Sequence, residues 1–306
     1  MSAARLRVGV ALLAASATAA TFTASGGRTP DERLTSSTIR VGGLALRLVR
    51  AGRGTPIVLL HGFGESLTSW RSVFPRLAEQ ADVVALDLPG HGLSSKPPSG
   101  YATDSLAAVV LGALDALGIS RAVFVGHSLG GAVAAAIALR QPARVLGLVL
   151  VDPAIAVAPS VLPGSTPDTT PSADALRASV AEYEAQRSRF TSVHDRGWLH
   201  ESDSALAYLP ASDPAYRPAL RALLRQFDFR YLSPARARAL DAPTLLIWGR
   251  LDPLLPLGNG RRLAAELPRA QLAVIPRSWH RPHVERPDTV ADLIARFVAH
   301  VEANTP

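Results

Sequence analysis

The stretch AVFVGHSLGGAVAAAIALR, residues 122–140, decides the fold that the rest of the chain can adopt. It opens with an apolar run that is typical of a buried parallel strand, and it ends in an alanine-rich run that predicts a helix. Small residues at Gly126 and Gly130 let the backbone pass from strand to helix within a few residues. Ser128 is then expected at the apex of a strained turn, with its side chain exposed at the carboxyl edge of a sheet.

This turn resembles the G-x-S-x-G nucleophile elbow of the α/β-hydrolase family, which requires a strand before it and a helix after it. The five-residue pattern alone would also suit a glycine-rich turn in which a serine caps a helix. The resemblance implies a mostly parallel, eight-stranded sheet flanked by helices, with a helical cap inserted after the sixth strand. Ser128 would be the nucleophile of such a protein, so the chain must also supply a base, an acid and an oxyanion hole.

Two later loops match the family's patterns for the acid and the base. Residues 249–253, GRLDP, follow an apolar strand and are similar to the family's G-x-x-D-x turn, which places the acid at Asp252. His280 falls on the histidine of the family's G-H-x-P-x-x-E-x-P segment, although Trp279 stands where glycine is usual. The resemblance therefore implies a catalytic triad of Ser128, Asp252 and His280, in the chain order that this fold uses.

Residues 61–64, HGFG, follow a short apolar strand and resemble the family's H-G-x-G oxyanion loop. In acyl transfer the carbonyl oxygen of the substrate becomes an anion, and fixed backbone donors stabilise that anion without having to reorient. The resemblance implies that these donors are the N–H groups of Phe63 and Leu129.

Other ionisable residues near these motifs are weaker candidates. Asp152 also ends a predicted strand, and some members of the fold place their acid there, but its turn is the poorer match. His283 lies three residues after His280, with neither an HExxH spacing nor a third ligand to favour a metal, so we interpret it as structural. Asp87 and His91 belong to a loop that is typical of the family, and we expect them to hold that loop together. No metal and no cofactor are expected.

Composition excludes several classes of function. The chain has 306 residues, of which 48% are hydrophobic and 19% charged. Such a chain can bury a large core, and disorder over most of its length is excluded. The net charge of +7 comes from scattered arginines, with no basic cluster joined by aromatic residues, so no nucleic-acid partner is expected. Because the chain lacks cysteine, disulfides, thiolate metal sites and cysteine nucleophiles are excluded.

The chain divides into a leader, a core in two parts and an inserted block. Residues 1–27 have a basic start, a short apolar stretch and Ala-x-Ala patterns, which predict a secretory signal peptide and therefore export. The alternatives are an uncleaved amino-terminal anchor and a disordered leader of a cytoplasmic protein. Residues 36–153 and 241–303 are the expected hydrolase core. In residues 154–240 the alternation of strands and helices stops, and this block has the position of the family's helical cap.

The expected function is hydrolysis of a small-molecule carboxylic ester through an acyl-enzyme on Ser128. A serine hydroxyl is a poor nucleophile at neutral pH, so it needs a neutral imidazole within hydrogen-bond reach and a carboxylate that fixes the imidazole tautomer. Two alternatives stay open: hydrolysis of a carbon–carbon bond in a vinylogous diketone by the same triad, and a weakly catalytic receptor for a small ligand. The sequence fixes neither the substrate nor the oligomeric state.

Overall fold

The computed structural model describes residues 36–155 and 213–304. The strands in these ranges are β1 (Ser37–Val41), β2 (Leu44–Ala51), β3 (Pro56–Leu60), β4 (Asp82–Leu86), β5 (Ala122–His127), β6 (Val145–Val151), β7 (Thr244–Gly249) and β8 (Ala270–Ile275). The helices are α1 (Phe74–Ala78), α2 (Thr103–Ala116), α3 (Leu129–Arg140), α4 (Tyr216–Gln226), α5 (Pro234–Ala239), α6 (Leu257–Glu266), α7 (Pro282–Glu285) and α8 (Pro287–Ala303).

The strands form one eight-stranded sheet in the order β1-β2-β4-β3-β5-β6-β7-β8. β2 runs antiparallel to both of its neighbours, β1 and β4. Every other neighbouring pair is parallel. The structure therefore confirms the mostly parallel, eight-stranded sheet that the sequence predicts, with an antiparallel hairpin at one edge.

Both faces of the central strands are covered by helices, which explains why these strands are continuous apolar runs. Side chains alternate between the two faces along a strand. In β5, Phe124 packs into the core cluster that contains α2 and α3. Its neighbours Val123 and Val125 pack into the opposite cluster, which contains residues of α1 and α8. β5 is consequently buried along its whole length.

The turn between β5 and α3 has the strained geometry that the elbow pattern predicts. Ser128 has φ 48° and ψ −113°, a left-handed conformation that costs free energy in a residue with a side chain. A Cβ atom at Gly126 would collide with the backbone of Gly130, and one at Gly130 would collide with the backbone of Leu60. The helix can therefore approach the strands this closely only because both positions lack a side chain.

One predicted helix is divided in two. The pattern of residues 69–79 predicts a single short helix, but the structure has a 3₁₀ turn at Leu67–Trp70 and then the separate helix α1. Pro75 lies in the first turn of α1. A helix that ran unbroken from Ser69 would need the N–H of residue 75 as a donor, and proline has none, whereas the first turn of a helix does not use that N–H. The predicted single helix is wrong for this reason.

The block predicted to be a helical cap is described only at residues 154–155 and 213–240, where α4 and α5 lie. Tyr216 in α4 donates a hydrogen bond from its hydroxyl to the backbone oxygen of Gly64, at 2.9 Å. At the other end of α4, Gln226 accepts hydrogen bonds from the N–H groups of Gly100 and Tyr101. Helix α4 is thus fixed to loops of the core.

The rest of the cap prediction and the predicted signal peptide at residues 1–27 lie outside the described residues. Among the helices that are described, none is long and apolar enough to cross a membrane.

The close approach at the elbow leads to a first prediction. We expect Gly126→Ala to lower the free energy of unfolding by roughly 1–3 kcal/mol, because the new methyl group displaces the backbone of α3. Gly258→Ala is the matched control. Gly258 is an exposed helical residue with nothing within 4 Å of an added Cβ, so this change should raise stability by about 0.5–1 kcal/mol. Urea denaturation measures both, and equal effects of the two changes would contradict the prediction.

Candidate active site

The three residues of the predicted triad follow three parallel strands of the sheet. Ser128 directly follows β5, Asp252 lies in the loop after β7, and His280 lies in the loop after β8. Parallel strands have their carboxyl ends at the same edge of the sheet, where ligands of open α/β folds bind. The topology therefore brings residues that are up to 152 positions apart to one edge.

The side chains of these residues form a hydrogen-bonded chain. Nε2 of His280 lies 3.2 Å from Oγ of Ser128, and Nδ1 of His280 lies 2.7 Å from Oδ2 of Asp252. A carboxylate only accepts hydrogen bonds, so Nδ1 carries the proton and Nε2 of the neutral ring is free to accept one from the serine hydroxyl. This is the tautomer that a general base needs.

Asp252 is fixed on the side that faces away from His280. Its Oδ1 accepts hydrogen bonds from the N–H groups of Leu254 and Leu255, at 2.8 and 2.9 Å. Burial by itself opposes ionisation of this carboxyl, but its hydrogen bond to His280 and the electrostatic attraction between the two side chains hold its pKa below the usual value. Asp252 therefore remains a carboxylate and is held in one orientation.

Asp152, the competing acid, lies behind Asp252. It is fully buried, and its two carboxyl oxygens lie 3.1 and 3.3 Å from the N–H of Gly249. Burial raises the pKa of Asp152 well above the usual value, and the charge of Asp252 and a hydrogen bond between the two carboxyls raise it further. The protonated carboxyl of Asp152 can donate that hydrogen bond to Asp252.

Glu285 organises the loop that carries His280. Its carboxylate accepts hydrogen bonds from the hydroxyl of Ser278, the N–H of Trp279 and the N–H of Arg281, at 2.8, 2.6 and 3.2 Å. Trp279, which replaces the family's usual glycine, is not among the described residues with positive φ, so the position needs no glycine. The sequence pattern includes this glutamate, but sequence reasoning assigned it no role.

The two residues expected to supply oxyanion donors lie at the same sheet edge. Leu129 is the first residue of α3, so its N–H belongs to the group that an α-helix leaves without an intrahelical acceptor. Phe63 lies in the loop after β3, and β3 is the neighbour of β5 in the sheet. The positions are thus compatible with the expected pair of donors.

Asp87 and His91 have the structural role that the sequence predicts. Asp87 accepts hydrogen bonds from the N–H groups of Leu67 and Leu93, at 2.7 and 2.8 Å. His91 donates one from Nδ1 to the backbone oxygen of Pro89, at 3.1 Å. Burial lowers the pKa of His91 to about 3, so the ring is neutral. Both side chains stabilise the loop after β4.

Two clusters in the described ranges have the residue types of a metal site. In each cluster the candidate ligand atoms lie within 4.8 Å of one another. Sequence reasoning missed the first, because its members come from three separate parts of the chain and share no local spacing. The clusters are Glu65 with His127 and His283, and Asp152 with Asp252 and His280.

The comparison with known proteins identifies the family of the chain. The sequence model of the alpha/beta hydrolase fold matches residues 55–287, so the chain belongs to the α/β-hydrolase family and is an enzyme of that class. The described sheet is the one that the family has.

Individual relatives cover nearly the whole chain. A 2-hydroxymuconate semialdehyde hydrolase from Pseudomonas sp. (strain CF600) is 33% identical over 273 residues, which are 85% of this chain and 93% of the relative. The solved structure of Est816, an N-acyl homoserine lactone degrading enzyme, superposes with a TM-score of 0.69 at 29% identity, covering 85% of this chain and 100% of the other. A meta-cleavage product hydrolase from Pseudomonas fluorescens IP01 has a TM-score of 0.69 at 27% identity, with coverages of 88% and 98%.

The pair of buried carboxyls predicts opposite pH dependences for two substitutions. The pKa of Asp152 is raised in the folded state, so its contribution to stability is present below about pH 4 and is lost as the pH rises toward the folded pKa. Asparagine does not ionise, so in Asp152→Asn this loss of stability with rising pH does not occur. The variant should gain stability relative to the parent as the pH rises, by up to about 1.4 kcal/mol per pH unit.

Asp252→Asn should show the reverse trend, because the pKa of Asp252 is lowered in the folded state and its contribution is present above about pH 4. Denaturant unfolding between about pH 2 and pH 8 measures both, since the change for Asp252→Asn falls below about pH 4 and that for Asp152→Asn above it. A stability difference for Asp152→Asn that does not change with pH would contradict the assignment of a protonated Asp152.

Proposed function

We propose that the protein is a serine hydrolase that forms an acyl-enzyme on Ser128. The observation that carries the proposal is the hydrogen-bonded chain from Ser128 through His280 to Asp252, at 3.2 and 2.7 Å. As Oγ of Ser128 attacks a carbonyl carbon, Nε2 of His280 takes its proton. The carboxylate of Asp252 stabilises the resulting imidazolium and keeps the ring in the required orientation.

The remaining steps use the same groups. The N–H groups of Phe63 and Leu129 are the proposed donors to the oxyanion of the tetrahedral intermediate. His280 then gives its proton to the leaving group, which departs and leaves an acyl ester on Ser128. In the second half of the reaction His280 activates a water molecule, which releases the acid and restores the serine. No cofactor enters these steps.

We propose a small carboxylic ester as the substrate class. An ester needs only the nucleophile, the base and the oxyanion donors, because an alkoxide leaving group takes its proton from His280. The likeness to Est816 supports this choice, since that protein is described as degrading a lactone, which is an internal ester. The choice of bond rests on this likeness and on the chemistry of the triad.

The second candidate is hydrolysis of a carbon–carbon bond next to a ketone. It is favoured by the 33% identical relative, which is a 2-hydroxymuconate semialdehyde hydrolase, and by the likeness to a meta-cleavage product hydrolase. In this reaction the acyl carbon would also be transferred to Ser128. The electron pair of the broken bond would remain on a carbon conjugated to a second carbonyl, and that carbon would then be protonated. The same triad would serve both reactions.

Ser128→Ala tests the proposed chemistry. We expect turnover of short-chain nitrophenyl esters to fall by about 10⁴- to 10⁶-fold, because only binding and the oxyanion donors remain. A fluorophosphonate should label Ser128 in the parent protein and should not label the variant. A parent that resists labelling, but gains thermal stability from a small ligand, would contradict the proposal and support a receptor.

A direct comparison of substrates separates the two bond classes. The parent protein is given nitrophenyl esters and a vinylogous diketone in parallel, and the products are identified by mass spectrometry. A kcat/KM for the diketone that exceeds the ester value by 100-fold or more would replace the ester by the carbon–carbon bond as the substrate class. Ser128→Ala is the control in both assays.

Substitution of the two carboxyls identifies the acid. We expect Asp252→Asn to lower kcat by about 10⁴-fold, because an amide in contact with Nδ1 favours the wrong imidazole tautomer. Asp152→Asn should leave kcat within about 10-fold of the parent, since an amide can still donate a hydrogen bond to Asp252. Steady-state kinetics at pH 7 decide the assignment, and a larger loss in Asp152→Asn than in Asp252→Asn would reverse it.

A further inference from the structure

A buried group of charged side chains lies beside His280 and is not explained by the triad. It consists of Glu65, His127, Arg281 and His283. Glu65, His127 and His283 are buried, and the side chain of Arg281 is 13% exposed. The rings of His127 and His280 have their centroids 4.9 Å apart. Any charge in this group therefore lies close to the proposed base.

His127 faces an oxygen atom at each of its ring nitrogens. Nε2 lies 2.7 Å from the backbone oxygen of His280, and Nδ1 lies 3.2 Å from Oε2 of Glu65. A carbonyl oxygen cannot donate a hydrogen bond, so Nε2 must carry a proton. The contact at Nδ1 then depends on the charge of Glu65.

Glu65 is ionised in this setting. Its Oε2 also accepts a hydrogen bond from the N–H of Gly62 at 3.0 Å, and its Oε1 lies 2.9 Å from Nε of Arg281. Burial opposes ionisation of Glu65, but the charges of His127 and Arg281 hold its pKa well below the usual value. A carboxylate cannot donate a hydrogen bond, so Glu65 accepts one from Nδ1 of His127 whenever that nitrogen carries a proton.

The contacts of Glu65 and His127 connect three loops of the site. Gly62 precedes Phe63, the proposed oxyanion donor, and His127 precedes Ser128, the proposed nucleophile. His127 also binds the backbone of His280 itself. Glu65 and His127 therefore hold the backbone at His280 and next to Phe63 and Ser128, the residues with proposed catalytic roles.

We infer that Glu65 and His127 are positioning residues. They fix the position of the loop of His280 relative to Ser128 and to the loop that carries Phe63. The hydrogen bond from Nε2 of His127 fixes the backbone of His280, and the carboxylate of Glu65 fixes His127, Gly62 and Arg281 together. The inference rests on the proposed role of His280 as the base. A misplacement of about 1 Å at such a group can lower the rate by roughly 10²-fold.

A metal ion held by Glu65, His127 and His283 is the competing explanation. His283 has no hydrogen-bond partner among the described residues at either ring nitrogen, as an empty ligand would. Its ring, however, packs between Trp70 and His127, with centroids at 4.3 and 4.5 Å. A divalent ion would also lie close to the guanidinium of Arg281, which is paired with Glu65 at 2.9 Å. Positioning accounts for the contacts without that repulsion.

Two substitutions of His127 test the inference. His127→Gln keeps an amide nitrogen near the place of Nε2, whereas His127→Leu removes both donors. We expect His127→Leu to lose roughly 10²-fold in kcat, with KM within about threefold of the parent, and His127→Gln to recover most of that loss. The rate of fluorophosphonate labelling of Ser128 should fall and recover in parallel. The melting temperatures of the two variants, measured alongside, monitor folding.

Two results would overturn the inference. The first is a His127→Leu variant that turns over and is labelled at the parent rate. The second is a His127→Gln variant that is as slow as His127→Leu although both are folded, because a donor to His280 would then be irrelevant. A parent protein that is never labelled at Ser128 would instead overturn the proposed function.

A measurement on the parent protein needs neither activity nor a folded variant. Among the buried rings in the described ranges, His61 and His91 face a carbonyl oxygen through Nδ1, whereas His127 faces one through Nε2. Nitrogen-15 NMR of histidine-labelled protein should therefore show a slowly exchanging Nε2–H that belongs to His127. Absence of this N–H, or binding of added zinc to the ring that carries it, would overturn the inference, and the second result would establish a metal site.

Discussion

The structure depends on the close approach of helix α3 to strands β3 and β5. Gly126 and Gly130 permit this approach, since a Cβ at either position would collide with backbone. The close approach of α3 forces Ser128 to a φ of 48°. The serine therefore lies at the carboxyl edge of the sheet, beside the loops that follow β3, β7 and β8. The backbone of Ser128 is also bonded on both sides, from its N–H to the oxygen of Val151 and from the N–H of Ala154 to its oxygen, each at 2.9 Å. Strain at one residue is thus maintained by the surrounding sheet.

Much of this arrangement could be predicted from the sequence, because it is encoded in local patterns. Buried parallel strands are short apolar runs, and the turns after β5, β7 and β8 carry recognisable motifs. The errors also have local causes. Pro75 lies in the first turn of α1 and so prevents the single longer helix that the apolar pattern alone predicts. The apolar run of residues 272–275 predicts a strand that begins at Leu272, but β8 begins at Ala270. Its position at the edge of the sheet gives a mixed apolar and polar pattern that hides the first two residues.

The connections among the loops could not be predicted in the same way. Glu65 and His127 are 62 residues apart, and His127 fills a position that the G-x-S-x-G pattern leaves unspecified. Asp152 and Asp252 both follow strands, so the sequence favoured Asp252 only through the match of its turn and through the one helix and one strand that separate it from His280. The distance of 2.7 Å from Asp252 to His280 and the burial of Asp152 distinguish them physically. The burial of Asp152 and the contact of Glu65 with His127 depend on how distant parts of the chain pack together, so no local sequence pattern predicts them.

The charges around His280 favour transfer of a proton from Ser128 to Nε2 of His280 in the proposed reaction. Asp152 is held neutral by burial, so Asp252 presents a single negative charge to Nδ1 and does not compete with a second carboxylate. On the other side, Glu65 is surrounded by His127 and Arg281, so its charge is already balanced there. In the proposed reaction a proton from Ser128 therefore meets an imidazole that is stabilised through Nδ1. All of these groups lie on the core of the fold, and the proposed reaction takes place at an acyl carbon that both candidate substrate classes share. The same edge can consequently serve enzymes that cleave different bonds, as the relatives of this chain do.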